Sequence, residues 1–378
     1  MPPGDALPRE LVAEGERVMQ LCNACRYCEG FCAVFPALER RLDFGEADLT
    51  YLANLCHNCG ECFYACPYAP PHEFDLRLSR TLAQIRGASY RKFARPRALA
   101  GMLARGGVAA LAAALAGTLL FLGTVLARSG LAGLTAAYPD SRGAFHALLP
   151  HGAMVAIFGA AAIWIAVALA LGVAAFWRDT GERPADLLVS RAAAQGFWDS
   201  LRLRYLEGGG QGCAYPEDVP AHSRRRLHHL AVVGFTLCFA STTVAAAYRN
   251  LLGWPAPYPR SSLPVLLGTV GGAALLVGSA GLLWLRLRRN PALADPAQSG
   301  LDVGFLALLG LTSLTGLLLM ALRQGPAMGT LLVAHLGLVL GLFVTMPYGK
   351  FVHAAYRYAA LVRYALEQRR PRPRLGGE

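Results

Sequence analysis

Six stretches of this 378-residue chain run for 19 to 25 residues without one charged side chain: 107–127, 153–177, 230–248, 263–285, 303–322 and 327–346. A bilayer core of about 30 Å takes about 20 apolar residues per helix. A buried helix of a water-soluble protein rarely runs that long without charge. Charged residues make up 16% of the chain and apolar ones 54%, too little charge to cover a soluble surface of this size. The pattern predicts six transmembrane helices after an N-terminal segment of about 100 residues.

The net charge of +12 has its explanation in where the basic residues fall. With six spans, both termini share one side. The segments on that side carry 31 Lys and Arg, against five on the other (Arg128, Arg142, Arg249, Arg260 and Arg323). Basic residues concentrate on the cytoplasmic side of spans, so both termini are expected in the cytoplasm and nucleic acid is not needed to explain the charge. The expected location is the bacterial cytoplasmic membrane. The first residues, MPPGDALPRE, contain no apolar export core.

Eight of the ten cysteines fall in two packets of identical rhythm: Cys22-x-x-Cys25-x-x-Cys28-x-x-x-Cys32 and Cys56-x-x-Cys59-x-x-Cys62-x-x-x-Cys66-Pro67. This is the run of the two-cluster bacterial ferredoxins. Three close thiolates reach three irons of a cubane, and the fourth iron takes its ligand from the other packet. One [4Fe–4S] cluster is therefore assigned to Cys22, Cys25, Cys28 and Cys66, the other to Cys56, Cys59, Cys62 and Cys32. Zinc and disulfides are the rivals. Zinc sites rarely use this rhythm, and a disulfide framework belongs to an oxidising compartment. Between the packets, Leu38, Leu42, Leu49 and Leu52 recur among charges, which predicts short amphipathic helices. With a helix expected from about 9 to 21, the segment 1–100 reads as an α-helical ferredoxin domain, and the chain as mostly α: that domain, then a six-helix membrane domain (101–378) with a loop at 178–227 and a basic tail.

Histidines lie near the span ends. On a continuous helix His335 and His353, 18 residues apart, would share a face about 27 Å apart. His151 opens the second span; His228 and His229 open the third. Imidazole is an axial ligand of haem iron, so one or two b-type haems are expected, His151 with His335 and His228 or His229 with His353. His146 is an alternative to His151, and Pro347 threatens the alignment. Gly337 and Gly341 leave room for a porphyrin or for a close helix, with nothing to choose between them. No GxGxxG, Walker or hydrolase pattern occurs. The chain shows no site for oxidising an organic substrate, so a flavoprotein partner is expected.

The run Cys25–Pro36 (CRYCEGFCAVFP), Cys56–Cys62 (CHNCGEC), GGGQGCAYP at 208–216, SRRRLHH at 223–229 and GFTLCFAST at 234–242 resemble the TcuB or CitB-type family of tricarballylate-utilisation electron-transfer proteins, along nearly the whole chain. The resemblance implies electron transfer from the reduced FAD of a tricarballylate dehydrogenase, through [4Fe–4S] clusters and haem, to membrane quinone. All eight cluster cysteines and the His228-His229 pair match; the haem pairing above comes from the spacing alone. The alternatives are the same module serving another flavoprotein or a heterodisulfide- or fumarate-type reductase, and an anchor or redox sensor that passes no electrons. The loop 208–226 is expected to dock the flavoprotein, close over a cluster, or rest on anionic lipid.

Overall fold

The computed structural model describes residues 6–139, 143–214 and 219–371. The architecture is mostly α. An N-terminal helical domain consists of α1 (Arg9–Cys25), α2 (Val34–Leu38), α3 (Glu46–Leu55), α4 (Glu61–Tyr64) and α5 (Leu78–Phe93). Then come α6 (Gly101–Thr135), the short α7 (Ala144–Leu148), α8 (His151–Asp179), α9 (Ser190–Leu201), α10 (Ser223–Leu252), α11 (Leu263–Leu287), α12 (Ser299–Leu322), α13 (Met328–Thr345) and α14 (Val352–Glu367). Among the described residues, six helical segments are long and apolar enough to cross a membrane, the last running through α13 and α14. The chain is thus a multi-pass membrane protein by helix length and composition. Two two-residue strands, β1 (Cys213–Ala214) and β2 (Pro220–Ala221), pair antiparallel, Cys213 opposite Ala221.

In α1 the buried residues Gly15, Val18, Met19 and Cys22 recur at helical spacing and form its core face. The helix runs four residues past the expected Leu21 and ends where Arg26 turns left-handed (φ 54°) and donates its N–H to Cys22 O. Cys22 and Cys25 therefore sit on a helical turn. Short helices occupy the stretch between the packets, as the leucine spacing predicts; Glu46 and Asp48 lie in the first turn of α3, where carboxylates favour the helix dipole.

The C-terminal segment, read as a basic tail, is a buried helix through residue 367. In α14, Ala359 through Glu367 are buried beside α3 and α9. Its charges are absorbed: Arg363 lies 4.2 Å over the Tyr51 ring, the Tyr51 hydroxyl donates to Glu367 at 3.0 Å, and Arg41 joins Glu367 to Asp48. Lys92 ties Glu46 (2.8 Å) to Asp179 at the end of α8 (2.7 Å). Residues 372–378 lie outside the described residues.

One expectation fails here. α13 ends at Thr345, Met346–Tyr348 form a 3-10 turn and α14 restarts at Val352. Pro347 has no N–H to continue the α-helical ladder. His335 and His353 are on separate helices, so the five-turn arithmetic does not apply. The glycines of α13 serve close helix packing. A Cβ on Gly337 or Gly341 would stand 2.5 Å from the Cα of Thr118 or Ala114 in α6. At the foot of the bundle Asp302 accepts from Lys350 (2.6 Å) and Arg286 (3.0 Å), tying α12 to α11 and to the α13–α14 junction.

Gly337→Val is expected to force α6 and α13 apart, at a cost of about 1–3 kcal/mol or more. Thermal unfolding of the detergent-solubilised protein checks this; an unchanged midpoint would contradict the packing described.

Candidate functional site

The thiols gather into two groups. Around Cys22 the interacting thiols are Cys28, Cys66 and Cys25, and around Cys28 they are Cys66 and Cys25. These four line one cavity, with Cys62 at its edge. Around Cys32 they are Cys59 and Cys56 first, and around Cys62 they are Cys59, Cys56 and Cys32. Each group thus draws one thiol from the other packet. Cys28 acts on both Cys32 and Cys62, so the groups adjoin. The first has Cys22 and Cys28 buried but opens to the surface at Cys25, with Tyr27 64% exposed beside it; the second has Cys56 buried and Cys32, Cys59 and Cys62 half-buried.

Burial pushes the Cys22, Cys32 and Cys62 thiols well up, and Cys28 up to about 12. The hydrogen bond with Cys213, and then burial, push Cys59 up. Bare thiolates would be costly here, yet the backbone is set to receive them. The N–H groups of Tyr68 and Ala69 serve Cys66, those of Val34 and Glu61 serve Cys32 and Cys59, and Asn58 N lies 3.2 Å from Cys56 Sγ. Such donors favour the deprotonated sulfur, the form a metal takes. Among the described residues no three His, Cys, Asp or Glu side chains converge on a point fit for a single ion. Four thiols in each group are the donor chemistry that an iron–sulfur cubane takes at its corners.

Four arginines grip the backbone beside the second group. Arg86 donates to Cys56 O (2.9 Å) and Ala53 O; Arg357 to Cys56 O (2.6 Å); Arg224 to Asn58 O (2.7 Å) and His57 O (3.2 Å); Arg289 to Asn58 O (3.1 Å). Three of them come from the membrane half. The glycine-rich loop closes over the same group: Gly209 N donates to Phe31 O at 3.1 Å, and the buried Cys213 hydrogen-bonds Cys59. Gly212 has φ +105°, and a Cβ there would lie 2.6 Å from the Ala221 carbonyl, so only glycine makes this turn. Tyr215 and Pro216 of the loop motif lie outside the described residues. His57 is buried with no hydrogen bond to Nε2; burial, then Arg357 and Arg224, hold it well below the usual imidazole range.

The histidines separate. The rings of His228 and His353 stand 6.1 Å apart, planes at 84°. Two metal–imidazole bonds of about 2.0 Å, plus the ring radii, give a centre-to-centre span of about 6 Å. His353 Nδ1 is anchored 2.6 Å from Lys350 O, the outer-shell contact that leaves Nε2 for a metal. His229 is turned away, its Nε2 3.2 Å from Leu201 O. The outer pairing differs from expectation. His151 meets His146 (5.1 Å between ring centres) and Asn250 (2.9 Å), not His335. His335 points its Nδ1 at Thr312 O (3.1 Å) and Thr315 Oγ1 (3.2 Å), its ring beside Gly316.

Spacing alone missed Cys213 and the arginines. Cys213 carried one signal, its place after four glycines in five residues. The arginines were counted only as markers of sidedness.

Comparison with known proteins identifies the family of both halves. Residues 15–92 match the family described as "Citrate utilization protein B Fer4-like domain", and residues 95–374 match "Citrate utilization protein B". The chain is 48% identical over 362 residues to the Citrate utilization protein B of Escherichia coli, covering 95% of this chain and 93% of that one. No solved structure matches.

In the iron-free chain at neutral pH, alkylation is expected first at the exposed Cys25. Cys22 and Cys28 should lag, since burial both hides these sulfurs and keeps them protonated. A mass-spectrometric time course checks the order.

Proposed function

The chain belongs to the citrate utilization protein B family, and from that premise we propose that it is the membrane subunit carrying electrons from the reduced FAD of a partner dehydrogenase, of tricarballylate dehydrogenase type, to the quinone pool by way of two [4Fe–4S] clusters and haem b. The observation that carries this reading is the gathering of eight thiols into two adjoining groups of four, one of them beside the His228–His353 pair. The Fer4-like N-terminal domain makes iron–sulfur electron transfer the core of the function.

Cys22, Cys25, Cys28 and Cys66 would hold the first cluster, and Cys32, Cys56, Cys59 and Cys62 the second; His228 and His353 would hold haem b. Bound there, these groups supply one-electron carriers, which suits stepwise oxidation of a two-electron flavin. The chain's own residues do the rest. Exposed Tyr27 and Cys25 give the first group a face toward the flavoprotein. The loop from Gly208 to Cys213 closes the second group beneath Phe31, and Arg224 and Arg357 bind its backbone to the helices that bear the histidines. We place the division between ferredoxin and membrane domains near residue 100, and both termini on the cytoplasmic side of the bacterial inner membrane, on the 31 to five division of basic residues.

Purified protein should contain iron for two cubanes and, on reduction, show sharp haem bands over a broad cluster absorbance. Absence of the sharp bands would remove the haem. Cys32→Ser is expected to abolish one cluster's EPR signal and spare the other. His353→Ala should cost most of the haem absorbance, with iron content unchanged; His229→Ala should cost little, because that ring faces Leu201.

A further inference from the structure

We propose that this chain makes the site of Cys32, Cys56, Cys59 and Cys62 the higher-potential of its two cluster sites, using the Cys213 thiol and arginines supplied by the membrane half. The inference rests on the two-cluster reading above.

Reduction adds one negative charge to a cubane and moves no proton. Nearby cations and hydrogen bonds to its sulfurs therefore raise its potential, and loss of solvation lowers it. Backbone donors are nearly matched, Tyr68 and Ala69 N–H on Cys66 at the first site against Val34, Glu61 and Asn58 N–H at the second, so the cations and Cys213 make the difference. The first site's guanidinium contact among the described residues is Arg26 Nε to Asn23 O at 3.0 Å, on the exposed surface where water and salt screen it. At the second site Arg86, Arg224, Arg289 and Arg357 are fixed by bonds to the carbonyls of Cys56, His57 and Asn58. Enclosed charges act more strongly than screened ones. Glu61 interacts with Cys28 and with Cys213, so it does not distinguish the sites.

Cys213 adds a directed contribution. It is 1% exposed, held by its pairing with Ala221, and packed in one cluster with Cys59, with which it shares a hydrogen bond. On iron, Cys59 carries no proton, so the proton of that bond belongs to Cys213, which donates to the ligand sulfur. Burial of the second site works in the opposite direction; fixed cations and this donor outweigh it. An electron leaving a cubane held at the first site would then run downhill to one held at the second: one would be oxidised as the other is reduced, and no bond would form or break. The resulting direction is from the flavoprotein face toward the histidine pair.

The test is an EPR-monitored redox titration of the full-length, iron-replete protein in detergent. Two midpoints are expected. Cys213→Ala should shift the upper one downward and leave the lower in place; Cys213→Ser, which keeps a donor, should shift it less; Arg224→Gln should lower the same midpoint. If these variants keep their iron and neither midpoint moves, or the lower one moves instead, the inference is overturned. Loss of iron in both Cys213 variants would make Cys213 a ligand and overturn it as well. If only Cys213→Ala loses iron, Cys213→Ser and Arg224→Gln decide. Wild-type iron short of two cubanes would instead sink the two-cluster reading itself.

Discussion

The rest of the structure depends on one set of bonds, guanidinium to carbonyl, along the backbone from Cys56 to Asn58. A chain that wraps a cluster cannot be regular helix or strand, so its carbonyls have no partners of their own. Each buried and unpaired polar group would cost about 1–3 kcal/mol. Here Arg86 serves from within the N-terminal domain, Arg224 from the start of α10, Arg289 from the end of α11 and Arg357 from α14. Satisfying one loop therefore requires four elements in register. The same bonds hold the second thiol group a fixed distance from His228 and His353, because Arg224 and Arg357 lie on the helices that carry those histidines. Packing and the electron route share one cause.

These arginines also pose a problem that an anion solves. Arg86, Arg224 and Arg357 hold no carboxylate partner among the described ion pairs, and their hydrogen bonds run to neutral carbonyls. Burying an unpaired cation costs several kcal/mol. Elsewhere the chain avoids that cost: Arg41 and Arg363 have Glu367, and Lys350 and Arg286 have Asp302. Four iron-bound thiolates would supply the missing negative charge beside Cys56. Of Arg86, Arg224 and Arg357 only Arg86 is fully buried, at 3% exposure, and a negative group beside Cys56 would suit it most.

Local patterns were legible in the sequence; contacts between distant segments were not. The cysteine rhythm, the six charge-free runs and the amphipathic leucines between the packets each depend on neighbouring residues, and each has its counterpart in α1 to α5 and the long helices. The pairing of His151 with His335 depended on which faces two separate helices present, and the ring of His335 turns to α12 instead. Arg224 and Arg357 show why counting could not suffice. Their charge marks the side of the membrane, while their bonds to Asn58 and Cys56 come from a fold that brings residues 166 and 301 positions apart into contact. Cys213 was visible as an odd cysteine after a glycine run, but only the turn at Gly212 and the pairing with Ala221 aim it at Cys59.

The break at Pro347 shows how a defect in one pattern supplies another. It ends α13 and removes the single-face alignment of His335 and His353. It also makes Lys350 and Phe351 the lead-in to a new helix, whose first N–H groups have no α-helical acceptors and turn to the carbonyls just before it. Lys350 O takes the backbone N–H of His353 at 3.2 Å and its ring Nδ1 at 2.6 Å, tying backbone and ring to one carbonyl. Lys350 Nζ meanwhile binds Asp302 on α12, so the anchor is itself anchored. Across from it, successive residues on α10 diverge by about 100°, so His228 and His229 cannot both face α14. His228 is the one that does, its ring centre 6.1 Å from that of His353. An unbroken helix through 353 would have had no free carbonyl there to hold the ring.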